Sequence, residues 1–313
     1  MGNRRRFLIQ SSLTAGAVAF CKPLQSIAGI TNNNILGNIF NTVPVFHTGN
    51  LYGSLSPFAA GKKAGLGGLR NISLALKEKS ASHILLDAGN FLKEISSLQD
   101  DRNMIACMNK TGYHAVNIGN SEVLKGQDHL VSLVQDVNFK LINCNYQFSD
   151  PVLKNKVSPY HVIKYGQFKI GITGVGRKIK NVNGITFYHP YKKANETAAY
   201  LKQQLNCDLV VCLSDLNFKE KNKQPDNYKL AEASENIDII VGRLTDTIHT
   251  QFILRNKIKH EVIVSNSGSE GLTLANVSFT FNGSHTKQQL TCKNYIPGAG
   301  DGHSFEAHRK LIA

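Results

Sequence analysis

Val43-Pro44-Val45-Phe46-His47-Thr48-Gly49-Asn50-Leu51-Tyr52-Gly53 begins with apolar and β-branched residues and ends in polar ones and glycine, as a buried strand does where it runs out into a loop. The unit returns along the chain. Ile84 to Asp87 leads into Asp87-Ala88-Gly89-Asn90, and Ala115 to Ile118 into Gly119-Asn120-Ser121-Glu122. Leu209 to Leu213 leads into Ser214-Asp215-Leu216, and Ile237 to Val241 into Gly242-Arg243-Leu244-Thr245-Asp246-Thr247. Further strands are expected at Phe139 to Asn143 and Phe168 to Thr173. Between these runs, Gly68 to Lys79, Asp101 to Lys110, Gln127 to Val134, Tyr191 to Leu205 and Asn227 to Glu235 carry apolar residues at helical spacing. The alternation predicts an α/β fold whose strands are covered by helices on both faces. After Thr250 the pattern becomes strand, turn, strand, with Val262 to Asn266, Leu272 to Phe281 and Lys287 to Lys293. These read as antiparallel strands closing one sheet. Ligands of open α/β sheets collect beyond the carboxyl ends of the strands, so the five polar loops mark the candidate site.

The chain has 313 residues, 42% of them hydrophobic, and a formal charge of +14 from 36 Lys and Arg against 22 Asp and Glu. That composition builds a folded core and excludes disorder as the main state. The positive excess raises the local concentration of anions, phosphorylated ligands included. The basic residues are spread without a block or an interleaved aromatic motif, which argues against a nucleic-acid partner.

Arg4-Arg5-Arg6-Phe7-Leu8 reads as a twin-arginine export signal, and the apolar stretch Leu13 to Phe20 is too short to span a bilayer. Ser26-Ile27-Ala28 offers a cleavage site. The expected organisation is a signal peptide at 1–28, a polar spacer at 29–41, a domain at 42–293 and a flexible tail at 294–313. The mature protein would be periplasmic or secreted, with no transmembrane segment. Cys21 is the alternative, a lipidation position, with Phe20 poorly placed beside it. Cleavage leaves Cys107, Cys144, Cys207, Cys212 and Cys292, an odd set in or beside apolar runs that suits buried thiols better than a disulfide framework.

In order and spacing the five strand-end loops resemble the metal-site motifs of the 5′-nucleotidase branch of the calcineurin-like metallophosphoesterases: HTND-x-HG, DAGD, GNHE, a Ser-His pair and GGHTH. Gly67-Gly68-Leu69-Arg70, Val116 to Asn120, Lys169 to Gly174 and Gly184 to Phe187 add matches between them. The resemblance covers Thr42 to Lys293. It implies a four-layer β-sandwich of two mixed sheets flanked by helices, and two divalent ions that polarise a phosphoryl group and deliver a bound hydroxide. It also implies the metallophosphatase domain only, without the separate domain that stacks the nucleoside base in full-length 5′-nucleotidases. A protein partner supplying that domain, or an active paralogue, is then expected.

The ligand positions themselves depart from the motifs. The Asp and His of the first motif stand here as Asn50 and Tyr52, and the bridging Asp of the second as Asn90. The third keeps its Asn as Asn120, while its His, which assists the leaving oxygen in the family, is Ser121. The His of the fourth is Asp215, and the two of the fifth are Leu244 and Asp246. Two carboxylates are lost and two gained, but every imidazole ligand and the bridge are gone. Nitrogen donors favour zinc, manganese and iron, and a neutral amide does not offset two dications. The expectation is a homologue without an intact catalytic set and without cofactor, binding an anionic ligand or a partner. The alternatives are residual phosphoester hydrolysis through one Ca²⁺ or Mg²⁺ on oxygens of Asn50, Asn90, Asn120, Asp215 and Asp246, and a basic envelope-associated structural protein. His47, Tyr52 and Leu244 are expected to line the cleft. A Ser121, His47, Asp215 hydrolase set lacks the G-x-S-x-G context.

Overall fold

The computed structural model describes residues 41–79, 82–244 and 251–299. Two mixed sheets face each other. The first runs in the order β15 (Lys287–Tyr295), β14 (Leu274–Phe281), β1 (Thr42–Thr48), β2 (Ile84–Asp87), β3 (Ala115–Asn117), β4 (Lys140–Ile142) and β6 (Val157–Ser158). The second runs β12 (Gln251–Arg255), β13 (Glu261–Gly268), β11 (Ile239–Leu244), β10 (Leu209–Ser214), β8 (Phe168–Val175) and β7 (Tyr160–Tyr165). A short pair, β5 (Tyr146–Phe148) and β9 (Ile185–Phe187), stands apart. From β1 to β6 the first sheet is parallel, as is the second from β8 through β10 and β11 to β13.

The four layers follow from strands that are apolar on both faces. Val45, Ile84 and Leu86 of the first sheet pack against Ile172, Val211 and Val241 of the second, forming the inner core. The alternate residues Phe46, Leu85 and Val116 point outward onto Leu69, Ile72, Met104 and Met108 of the helices Gly68–Lys77 and Leu98–Thr111. On the far side Val210, Cys212 and Ile240 meet Ala194, Ala198, Leu201 and Leu230 of the helices Pro190–Gln203 and Asn227–Ala233. Period-two alternation with both sets buried is what a helix-covered sheet requires.

The carboxyl-terminal strands depart from expectation. They complete both sheets, not one. The hairpin partner β12, which the sequence pattern did not reveal, pairs antiparallel to β13, while β13 itself runs parallel to β11. The chain then turns at Ser269–Gly271 and enters the other sheet, where β14 lies antiparallel to β1. The packed part also runs past Lys293: β15 reaches Tyr295, Ile296 is buried with Leu66 and Leu272, and Gly67 N–H donates to Pro297 O at 2.9 Å. Of the tail expected at 294–313, residues 294–299 are therefore part of the fold, and the rest lies outside the described residues. Asn41, assigned to the spacer, accepts from Phe281 N–H through its carbonyl. The signal segment and Cys21 lie outside the described residues; among those described, no helix is long and apolar enough to cross a membrane. Cys107, Cys144, Cys207, Cys212 and Cys292 are free thiols, and Cys207 and Cys212 are buried.

Candidate functional site

The parallel strands of both sheets end on one side, and the loops found there are held in register by buried polar side chains. Glu122 is the main pin. Its carboxylate accepts from Gly119 N–H at 2.8 Å, Asn90 N–H at 3.0 Å and Leu92 N–H at 2.9 Å, which ties the second and third loops together. Burial pushes its carboxyl up to about 7, against the lowering effect of those three donors. Asn117 bridges the sheets, donating to Ala88 O at 3.0 Å and to Val175 O at 2.9 Å. The first loop is laddered onto the second by Asn50 N–H to Gly89 O, Tyr52 N–H to Asn90 O and Gly53 N–H to Phe91 O. That ladder needs left-handed backbone at Asn50 (φ 54), Tyr52 (φ 47) and Asn90 (φ 59). Asn accepts this conformation readily; Tyr does so only where its surroundings enforce it.

Within this frame the structure brings Asn50, Asn90, Asn120, Ser121 and Asp215 together. Asn90 Nδ2 donates to Asn50 Oδ1 at 2.9 Å and to Asp215 Oδ1 at 2.6 Å. Asn90 Oδ1 accepts from Ser121 N–H at 3.0 Å and from its hydroxyl at 3.2 Å. Asp215 Oδ2 accepts from Asn120 N–H at 2.8 Å. Asn50, Asn90, Ser121 and Asp215 are buried, whereas Asn120 and Tyr52 are partly exposed and form the rim. Burial also raises the Tyr52 phenol, leaving it a neutral donor.

Two arginines complete the cluster, and neither was singled out from the sequence. Arg243, only 5% exposed, places Nε 2.8 Å from Asp215 Oδ1. The approach is an ion pair in which the N–H is not aimed at the oxygen, so Nε has no hydrogen-bond partner. Its Nη2 makes long contacts of 3.4 Å to Asp215 O and Asn217 Oδ1. Arg177, partly exposed, follows β8; with the Asn120 amide turned to satisfy both its atoms, that amide donates to Asp215 Oδ2 at 3.0 Å and accepts from Arg177 Nε at 2.8 Å and from Nη2. Tyr146, raised well above the usual phenol range by burial, anchors Arg177 by donating to its carbonyl at 2.6 Å. The signal for Arg243 was available: it stands at the second glycine of the fifth motif. Arg177 sits just past the end of β8, beyond the Lys169 to Gly174 match, and nothing in its own sequence context marks it.

These donors do not fit a two-metal centre. Such a centre needs carboxylate and imidazole donors around ions roughly 3.5 to 4 Å apart. Here Asn90 turns nitrogen, not oxygen, toward Asn50 and Asp215, both Asp215 oxygens already receive donors, and a guanidinium supplies the positive charge. Among the described residues no three His, Cys, Asp or Glu side chains gather to hold a metal. Asp246 lies outside the described residues, as does the side chain of Leu244. His47, expected at the cleft, is fully buried, with Nε2 2.7 Å from Ser265 Oγ and Nδ1 without a partner. Burial lowers its pKa to about 3, so it remains neutral inside the sandwich.

No family model matches the sequence. A snake venom 5′-nucleotidase from Gloydius brevicauda is 26% identical over 255 residues, covering 75% of this chain and 40% of that protein. The chain thus spans about two fifths of the curated relative. Among solved structures, the 5′-nucleotidase precursor of Thermus thermophilus matches with a TM-score of 0.71 at 20% identity, over 82% of this chain and 54% of that one. The calcineurin-like phosphoesterase YfkN of Bacillus subtilis matches with a TM-score of 0.65 at 19% identity, over 87% and 96%. The fold is that of the calcineurin-like metallophosphoesterases. Within that fold, the curated relatives to which the chain is similar are 5′-nucleotidases, and the five ordered loops follow the same order as the 5′-nucleotidase metal-site motifs.

Proposed function

We propose that this chain is a non-hydrolysing 5′-nucleotidase homologue that uses its strand-end cleft to bind an anionic, phosphorylated ligand. The observation that carries the reading is the Arg243 guanidinium 2.8 Å from the buried Asp215 carboxylate, in the middle of the loops that would have to gather metal ions. A carboxylate so paired has no charge left over for a dication, and displacing the arginine would leave it buried and unpaired at a cost of several kcal/mol. The Arg4 to Leu8 motif supports export through the twin-arginine route, placing the protein in the periplasm or outside the cell. The named relatives suggest nucleotides as the ligand class.

The test is an assay of purified protein on nucleoside monophosphates with Mn²⁺, Mg²⁺ or Ca²⁺. No turnover above background is expected. Metal-dependent turnover that disappears in an Asp215→Ala, Asn120→Ala double variant would establish a residual hydrolase instead.

A further inference from the structure

The chain of contacts from Asn50 through Asn90 and Asp215 to Arg243 leaves atoms without partners, and all of them are donors. Asn50 Nδ2 is buried without a hydrogen-bond partner, and Arg243 Nε, though 2.8 Å from Asp215 Oδ1, does not aim its N–H there. A buried donor left unpaired is destabilising, so the Asn50 amide beside a misaligned guanidinium marks a place where an acceptor would be gained. Arg177 adds more. A guanidinium carries five N–H donors, of which two face the Asn120 amide oxygen, and no carboxylate among the described residues pairs with it. The charges agree with the hydrogen-bond count. Asp215 offsets Arg243, and the other buried carboxylates of these loops, Glu122 and Asp87, are held on backbone N–H groups and, for Asp87, the Thr48 hydroxyl, and burial pushes both up to about 7. Arg177 is thus an uncompensated cation at a rim shared with Asn120, Tyr52 and Asn217, all partly exposed.

A chain of contacts whose spare groups are donors, beside an unpaired cation, favours a ligand made only of acceptors. A phosphate monoester near neutral pH is such a group, and a guanidinium fork matches its oxygens two at a time. We infer that Arg177 and Arg243, with the Asn50 amide, form a metal-independent receptor for the phosphate of a monoester, guanidinium charge taking the part that divalent ions play elsewhere in the family. This deepens the proposed function and rests on it. Arg177 is the outer clamp, and Arg243 with Asn50 forms the floor.

The experiment is isothermal titration of the full chain in EDTA, with inorganic phosphate and with adenosine monophosphate as probes and adenosine as the phosphate-free control. Binding of both phosphates at roughly millimolar concentration or tighter is expected, with none of adenosine. Arg177→Gln should weaken it by about tenfold to a hundredfold, as loss of charge-assisted hydrogen bonds does, with an unchanged melting temperature. Arg177→Lys should fall between, because it keeps the charge and loses the fork. Lys62→Gln, at an exposed position away from the loops, should bind like the parent. No phosphate binding in EDTA, binding that appears only with a divalent ion, or equal binding by Arg177→Gln would each overturn the receptor. Only metal-dependent turnover in the separate assay would overturn the broader reading as well.

Discussion

Arg243 carries a positive charge into a buried site where the motif it interrupts has glycine, and Asp215 stands where that motif set has histidine. The two changes make sense together. Replacing Arg243 by Gly would leave Asp215, with 0% of its surface exposed, without a cation. Breaking a buried pair from one side costs about 3–5 kcal/mol; urea unfolding of Arg243→Gly should show a loss of that order, and parental stability would mean the pair does not hold the loops. Glu122 gives a prediction in pH. Its folded-state carboxyl is raised from 4.5 to about 7 by burial, so the native protein holds a proton that the unfolded chain releases. That contribution is full below about 4.5 and is lost as pH rises through about 7. Glu122→Gln mimics the protonated form but turns an amide nitrogen toward backbone donors. The variant should therefore be less stable than the parent throughout, with a larger deficit at pH 5 than at pH 8. A deficit that grows with pH would contradict the raised value.

At the scale of elements, the strands with both faces buried were legible because their apolar runs are continuous and end in polar loops. β2 and β10 are buried at every position and stand where the sequence put them. Edge strands were not legible. β7 is mostly half-exposed and β12 alternates only weakly, so neither shows the run that marks an interior strand. Nor does period reveal partner: nothing in residues 274–281 says that β14 leaves one sheet for the other. The structure supplies a physical reason for the Gly67-Gly68 pair of the matched segment, which opens the helix Gly68–Lys77. Gly68 has φ +75, and a Cβ there would lie 2.5 Å from Ser56 backbone atoms. Gly68→Ala should cost at least about 1 kcal/mol in chemical denaturation. Gly283→Ala, with nothing within 4 Å and no left-handed backbone, should cost none.

For the molecule as a whole, the candidate site was legible as a set of positions but not as an electrostatic object. Asn50, Asn90, Asn120, Ser121 and Asp215 do converge, because parallel strands of both sheets deliver their carboxyl ends to one side. What order along the chain could not show was the direction of each amide and the arrival of two guanidinium groups. Those details turn a collection of oxygens suited to drawing a cation into a network in which the acid is already paired and some donors are left over. The most direct measurement is elemental analysis of the purified full chain after equilibration with Mn²⁺ and removal of free metal. Fewer than one bound equivalent is expected, with Arg243 and Asp215 still paired; two equivalents of transition metal per chain would contradict the account.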